Sequence, residues 1–134
     1  MRVSDAHFEM LARAGCMLLV APFLVSGIFK LLDFAGTTHE VAALSGLAPA
    51  WAFAVLTIAV QIGGSLLVAF GNRWGTLAGA LALGGFTIVP TLLAHSWWTK
   101  EGVDRVRDFN VFFEHVAIVG GFVLAAAFAW YRRA

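Results

Sequence analysis

The sequence predicts an all-α integral membrane protein: an antiparallel bundle of four transmembrane helices, with a short interfacial helix in the first external loop. Three observations carry that expectation. Of the 134 residues, 60% are apolar and only 13% charged, about half the charge of a soluble domain. The apolar residues are gathered into four long runs. A span of the bilayer core takes about 20 residues, so four spans use roughly 80 and leave room for termini and three connections. Residues 1–134 are therefore read as a single polytopic domain.

The four runs cover residues 11–32, 51–70, 75–97 and 111–130. Each is expected to be helical, because an unsatisfied backbone amide in lipid costs several kcal/mol. Barrel strands would be shorter and would alternate. Asp5 and Glu9 precede the first run and no A-x-A site follows it, so it reads as a retained span and not as a cleaved signal. In the first connection, Thr37-Thr38-His39-Glu40 leads into the apolar stretch Val41 to Leu47. This stretch is the expected interfacial helix, closed by Gly46 and Pro49. Gly71, Asn72, Arg73 and Trp74 alone separate the second and third runs, which forces a tight antiparallel hairpin. Trp51, Trp74, Trp97, Trp98 and Trp130 mark span boundaries as an aromatic belt does. Pro22 and Pro90 are expected to kink their helices, with Ser26, Thr87 and Thr91 helping to satisfy the freed carbonyls. Glycine pairs such as Gly63-Gly64 and Gly120-Gly121 are assigned to close helix packing.

A net charge of +1 with no basic cluster excludes a nucleic-acid partner, and the bilayer is the expected surrounding. The single cysteine, Cys16, excludes an intrachain disulfide, a redox pair or a thiolate metal cage. Positive residues divide as Arg2, Arg13, Arg73, Arg132 and Arg133 on the side of the N-terminus (side one), and Lys30, Lys100, Arg105 and Arg107 on the other (side two). Those nearest the membrane ends favour side one, so both termini are predicted cytoplasmic. Side two holds most of the acids: Asp33, Glu40, Glu101, Asp104, Asp108 and Glu114.

Polar groups inside the apolar runs are the functional candidates, since an ionisable side chain facing lipid costs at least a few kcal/mol. A rise of about 1.5 Å per residue puts Gln61 near the midplane and Glu114 and His115 roughly 8 to 10 Å toward side two, with Lys30 and His95 roughly 13 Å out. Thr87, Thr91 and His95 form one helical row, and Asn110 and Glu114 another. Both rows are expected to face the interior, with Lys30 and Glu114 as a pair across helices. Blander readings stand beside these: Lys30 snorkelling to the interface, Asp33 as a helix terminator, His95 as an interfacial histidine, and Gln61 as a hydrogen-bonding link between helices. Haem ligation by His95 and His115 is not expected beside the bulky Phe112 and Phe113. A metal site is not expected either, because no ligand spacing supports one.

Three stretches carry a resemblance. Phe23-Leu24-Val25-Ser26-Gly27-Ile28-Phe29-Lys30-Leu31-Leu32-Asp33-Phe34 resembles the SG..K..DF signature that ends the first helix in the DoxX family of small bacterial membrane proteins. Gln61 to Gly71 resembles the E..GG.LL..G segment of that family's second helix. Phe112 to Phe122 resembles its final segment, with Gly120-Gly121 in place. Gln61 stands where the family often has an acid, and Glu114-His115 stands where it usually has Lys-Asn. The resemblance implies a multi-pass protein of the bacterial inner membrane. It also implies a role beside membrane redox enzymes, such as the small subunit of a thiosulfate:quinone oxidoreductase, or in enzyme maturation.

On that footing the expected function is an integral subunit of a quinone-associated redox complex with a polar cavity in the outer half of the bundle. Quinone is the expected cofactor. Glu114 and His115 are the candidate catalytic residues, exchanging protons, and Lys30, Gln61 and His95 are the candidate ligand-binding residues. With no flavin motif and no cysteine pair, electrons are expected from a membrane or periplasmic redox partner, and a homo-oligomer is left open. The alternative is a non-catalytic assembly or maturation partner that docks other proteins through Glu101, Asp104 and Asp108. A small-solute permease is a third class, disfavoured by the small helix count and the lack of an inverted repeat.

Overall fold

The computed structural model describes residues 3–131, with side chains from residue 5 onward. Arg2, Arg132 and Arg133, which entered the orientation argument, lie outside the described residues. Among the described residues there are five α-helices: α1 (Val3–Leu32), α2 (Phe34–Ser45), α3 (Ala50–Phe70), α4 (Arg73–Ala94) and α5 (Gly102–Tyr131). A 3-10 turn, Trp97–Thr99, bridges α4 and α5. Four of these helices are long and apolar enough to cross a membrane, and α2, at 12 residues, is the short one between the first two spans. The protein is an all-α membrane bundle, as the four apolar runs require.

The helices outrun the apolar segments that signalled them. At 30 residues each, α1 and α5 measure about 45 Å, against a hydrocarbon core of about 30 Å. The surplus of α1 lies on side one, where Glu9 and Arg13 pair at 3.2 Å one turn apart. The surplus of α5 lies on side two, where residues 102–110 continue the helix instead of forming a loop. Charged residues are good helix formers, so the helix has no reason to stop where the apolar run does. In the opposite sense α4 stops early. His95 caps it, and the Trp97-Trp98 pair belongs to the 3-10 turn.

Caps explain the connections. Asp33 is the N-cap of α2, its carboxylate accepting from the Gly36 amide at 2.9 Å, as a residue in that position should. Gly46 ends α2 at φ 65°, a left-handed conformation that glycine adopts without the Cβ clash. Asn72 caps α4 by accepting from Gly75 N at 2.9 Å, which leaves only Gly71 and Asn72 between α3 and α4.

The spans pack in the order α1, α3, α4, α5, and α1 meets α5 more sparingly. Small residues set the α3–α4 distance: a Cβ on Gly79 would lie 2.7 Å from the Gly64 carbonyl oxygen. This is a backbone-to-backbone approach that only glycine permits. Ser65 binds α3 to α1, lying 2.6 Å from its own-turn Gln61 carbonyl and 3.4 Å from the Val20 carbonyl. The core comprises Cys16, Val20, Val68, Ala80, Leu83, Phe122 and Ala125 among others, with Phe23 and Phe122 edge to face across α1 and α5. Outward, Leu18 is 77% exposed and Leu124 72%. Leucines so exposed on long apolar helices face acyl chains.

Candidate functional site at the side-two end of α4 and α5

Three elements converge where α4 ends and α5 begins. Thr87 and Thr91 are buried on the α5-facing side of α4, one turn apart, as the sequence row requires. Their hydroxyls donate to the Leu83 carbonyl at 2.7 Å and the Thr87 carbonyl at 2.5 Å. Pro90 has no amide to offer the Phe86 carbonyl, and neither threonine turns to that group, so the expected repair of the kink is replaced by bonds within each threonine's own turn. Thr91 Oγ1 also lies 2.8 Å from His115 Nδ1 on α5. The His115 ring stands edge to face with His95, centroids 5.4 Å apart.

Asp108 completes the group. It is 2% exposed and bonded to Lys100, with Arg107 Nε at 3.3 Å and His95 Nδ1 at 3.5 Å. Lys100 additionally donates to the Ala94 carbonyl at 3.2 Å, tying the last turn of α4 to the start of α5. A buried carboxylate persists when cations and hydrogen-bond donors compensate its lost hydration. Here three basic side chains surround it.

A cavity of about 200 Å³ opens between α4 and α5. Ile88, Leu92, Phe112, Val116 and Val119 form its apolar walls, and Thr91 and His115 supply its polar groups. Phe112 packs against Trp98, with Phe113, Phe109 and Trp97 in the same aromatic cluster. Such a volume is below the roughly 300 Å³ at which pockets begin to hold a drug-sized molecule. A single substituted ring fits it.

Of the five residues singled out by sequence, the structure joins His95 and His115 and leaves the others apart. Lys30 bonds Glu40 on α2, not Glu114; the first turns of α2 fold back over the end of α1 and bring that acid within reach. Glu114 and Asn110 are exposed on α5, contrary to the inward row, because the Thr91-facing side of the helix is already taken by His115. Gln61 is buried, but its Oε1 has no hydrogen-bond partner, so it makes no bond between helices through that atom. No hydrogen bond, ion pair or ring contact links Lys30, Gln61 or Glu114 to the His95–His115 group among the described residues. The sequence reading missed Asp108 by placing it in a loop. Its four-residue offset from the apolar Phe112 on a continuing helix is the signal that would have placed it at the α4–α5 seam.

Neither histidine pair nor acids gather as a metal site: no cluster of three His, Cys, Asp or Glu side chains is present among the described residues. His95 and His115 touch edge to face and do not flank a gap.

Four spans, a short external helix and one polar seam in an apolar bundle define a small multi-pass membrane protein. The DoxX family profile matches residues 11–96, well over half of the chain, and the protein belongs to the DoxX family. It is similar to the inner membrane protein YphA of Escherichia coli (strain K12), 25% identical over 126 residues that cover 90% of this chain and 88% of the relative. No solved structure matches it significantly.

Proposed function

We propose that this chain is the integral subunit of a redox-linked complex of the bacterial inner membrane, and that the α4–α5 cavity receives the ring of a membrane quinone. The likeness to an inner membrane protein supports the location, and the more positive side one supports cytoplasmic termini. The observation that carries the reading is the cavity itself, lined by five apolar side chains and polar only at Thr91 and His115. Its volume matches one ring, and its open side leaves a path for an isoprenoid tail into lipid.

The residues fit that group by chemistry. Apolar walls desolvate the ring, and Phe112, one of them, is braced edge to face by Trp98. When bound, a quinone supplies two-electron, two-proton redox chemistry, with electrons exchanged through a partner protein because this chain has no cysteine pair. His115 is the group positioned to hold or pass a proton. His95, Asp108 and Lys100 link it to side two. Glu114, facing outward, takes no part in this arrangement.

A photoreactive azido-quinone added to membranes containing the protein tests the reading. Labelled peptides are expected from α4 and α5, lost in Val119→Phe, which fills the cavity. Labelling spread evenly over all four spans, or unaffected by that substitution, would reject it.

A further inference from the structure

The polar atoms of the cavity carry direction as well as position. A threonine hydroxyl has one proton. Thr91 gives it to the Thr87 carbonyl 2.5 Å away, since two bare acceptor oxygens would repel at that separation. At the 2.8 Å contact with His115 the Thr91 oxygen must then accept, and Nδ1 of the imidazole must carry the proton. Thr87 offers no competing donor, because its own hydroxyl is bonded to Leu83. In a neutral imidazole one nitrogen is N–H and the other a lone pair. With Nδ1 engaged, the nitrogen of His115 left for a ligand is Nε2, an acceptor.

We infer that the cavity selects a ring bearing a hydroxyl donor, a quinol or related phenol, over the oxidised quinone, whose ring oxygens only accept, and that Thr91 enforces the choice by fixing the His115 tautomer. This inference rests on the quinone reading above and narrows it to the reduced form. A quinone carbonyl set against Nε2 would oppose two lone pairs beside apolar walls and forfeit the hydrogen bond that a quinol makes. Thr91 is thus a positioning residue, acting on the ligand through His115. Quinol hydroxyl protons then face a base instead of a donor, the arrangement suited to giving up protons.

The test uses one ring in two states. Duroquinol, kept anaerobic, and duroquinone are titrated calorimetrically into the full chain in lipid nanodiscs, and the ¹⁵N spectrum of His115 is recorded in parallel. Duroquinol is expected to bind at least about tenfold tighter, since an unmade hydrogen bond to a buried acceptor costs about that much. The spectrum is expected to show the Nδ1–H tautomer. Thr91→Val keeps the side-chain volume but removes the acceptor, and is expected to bring the preference close to unity and mix the tautomers. Equal affinity for the two rings, tighter binding of duroquinone, or an Nε2–H tautomer in the unsubstituted protein would overturn the donor preference and leave the quinone reading in place. Binding of neither ring would overturn both.

Discussion

His95 and His115 meet edge to face with ring centroids 5.4 Å apart, although one caps α4 and the other lies well inside α5. The contact holds together the ends of two antiparallel spans, and Asp108 anchors it from the first turns of α5, 3.5 Å from His95 Nδ1. Removing that anchor strands Lys100, Arg107 and His95 around a neutral amide. Asp108→Asn is therefore expected to lower the thermal midpoint in detergent clearly, while Asp104→Asn, on the exposed face, leaves it unchanged. Equal midpoints for the two variants would contradict the anchoring role.

Thr91 and His115 offer a double-mutant cycle. Thr91→Val and His115→Phe each remove one end of the 2.8 Å contact, so the double variant is expected to cost less than the sum of the singles. The coupling should be about 0.5 to 2 kcal/mol, the range for hydrogen bonds between membrane helices. Additive costs, read from unfolding by denaturing detergent, would mean the pair contributes no joint stability.

The bundle depends on glycine at Gly79 in the α3–α4 seam and not at Gly120 on α5. Gly79→Ala places a methyl 2.7 Å from the Gly64 carbonyl oxygen and 2.9 Å from Leu67 Cβ, and backbone cannot yield cheaply. A cost of about 1 to 3 kcal/mol is expected. At Gly120 nothing lies within 4 Å of the added methyl, so Gly120→Ala is expected to be neutral or slightly stabilising, since alanine favours helix. Comparing the two unfolding curves checks this.

Lys30 and Glu40 hold α2 against the end of α1. Glu40 is 57% exposed at its side chain, and such pairs contribute less than about 1 kcal/mol. Lys30→Glu is expected to raise protease cleavage within residues 34–50, and the added Glu40→Lys to reverse it. Glu114→Gln is expected to leave the cleavage pattern as it was. Rescue of Lys30→Glu by a Glu114→Lys change instead would restore the pair that sequence reading had assigned.

The sequence made the spans legible because lipid imposes one rule on every residue of a helix that crosses it. Leu18 and Leu124 had to be apolar whatever they touched. Where that rule ends, at Asp104 or Arg107, the chain is free to continue as helix, and hydropathy falls silent about whether it does. This is why hydropathy alone starts the last helix at Val111, nine residues after its true start, and leaves Asp108 in the connection before it. The inward stripe of Thr87 and Thr91 was legible from its spacing alone. The partner of Lys30 was not, because it depends on how α2 folds back to bring Glu40 to the end of α1. His115 was a candidate because it lies inside the fourth apolar run, while its tautomer rests on a hydroxyl geometry that no sequence displays.

The most direct test of the central claim fills the cavity. Val119→Phe places a ring against the walls formed by Ile88, Leu92 and Val116 while leaving Thr91 and His115 intact. Duroquinol titrated into nanodiscs is expected to give a saturable binding heat with the unsubstituted protein and none with Val119→Phe at an unchanged thermal midpoint. Saturable binding of equal affinity to both proteins would place the ligand elsewhere and contradict the assignment of the α4–α5 cavity.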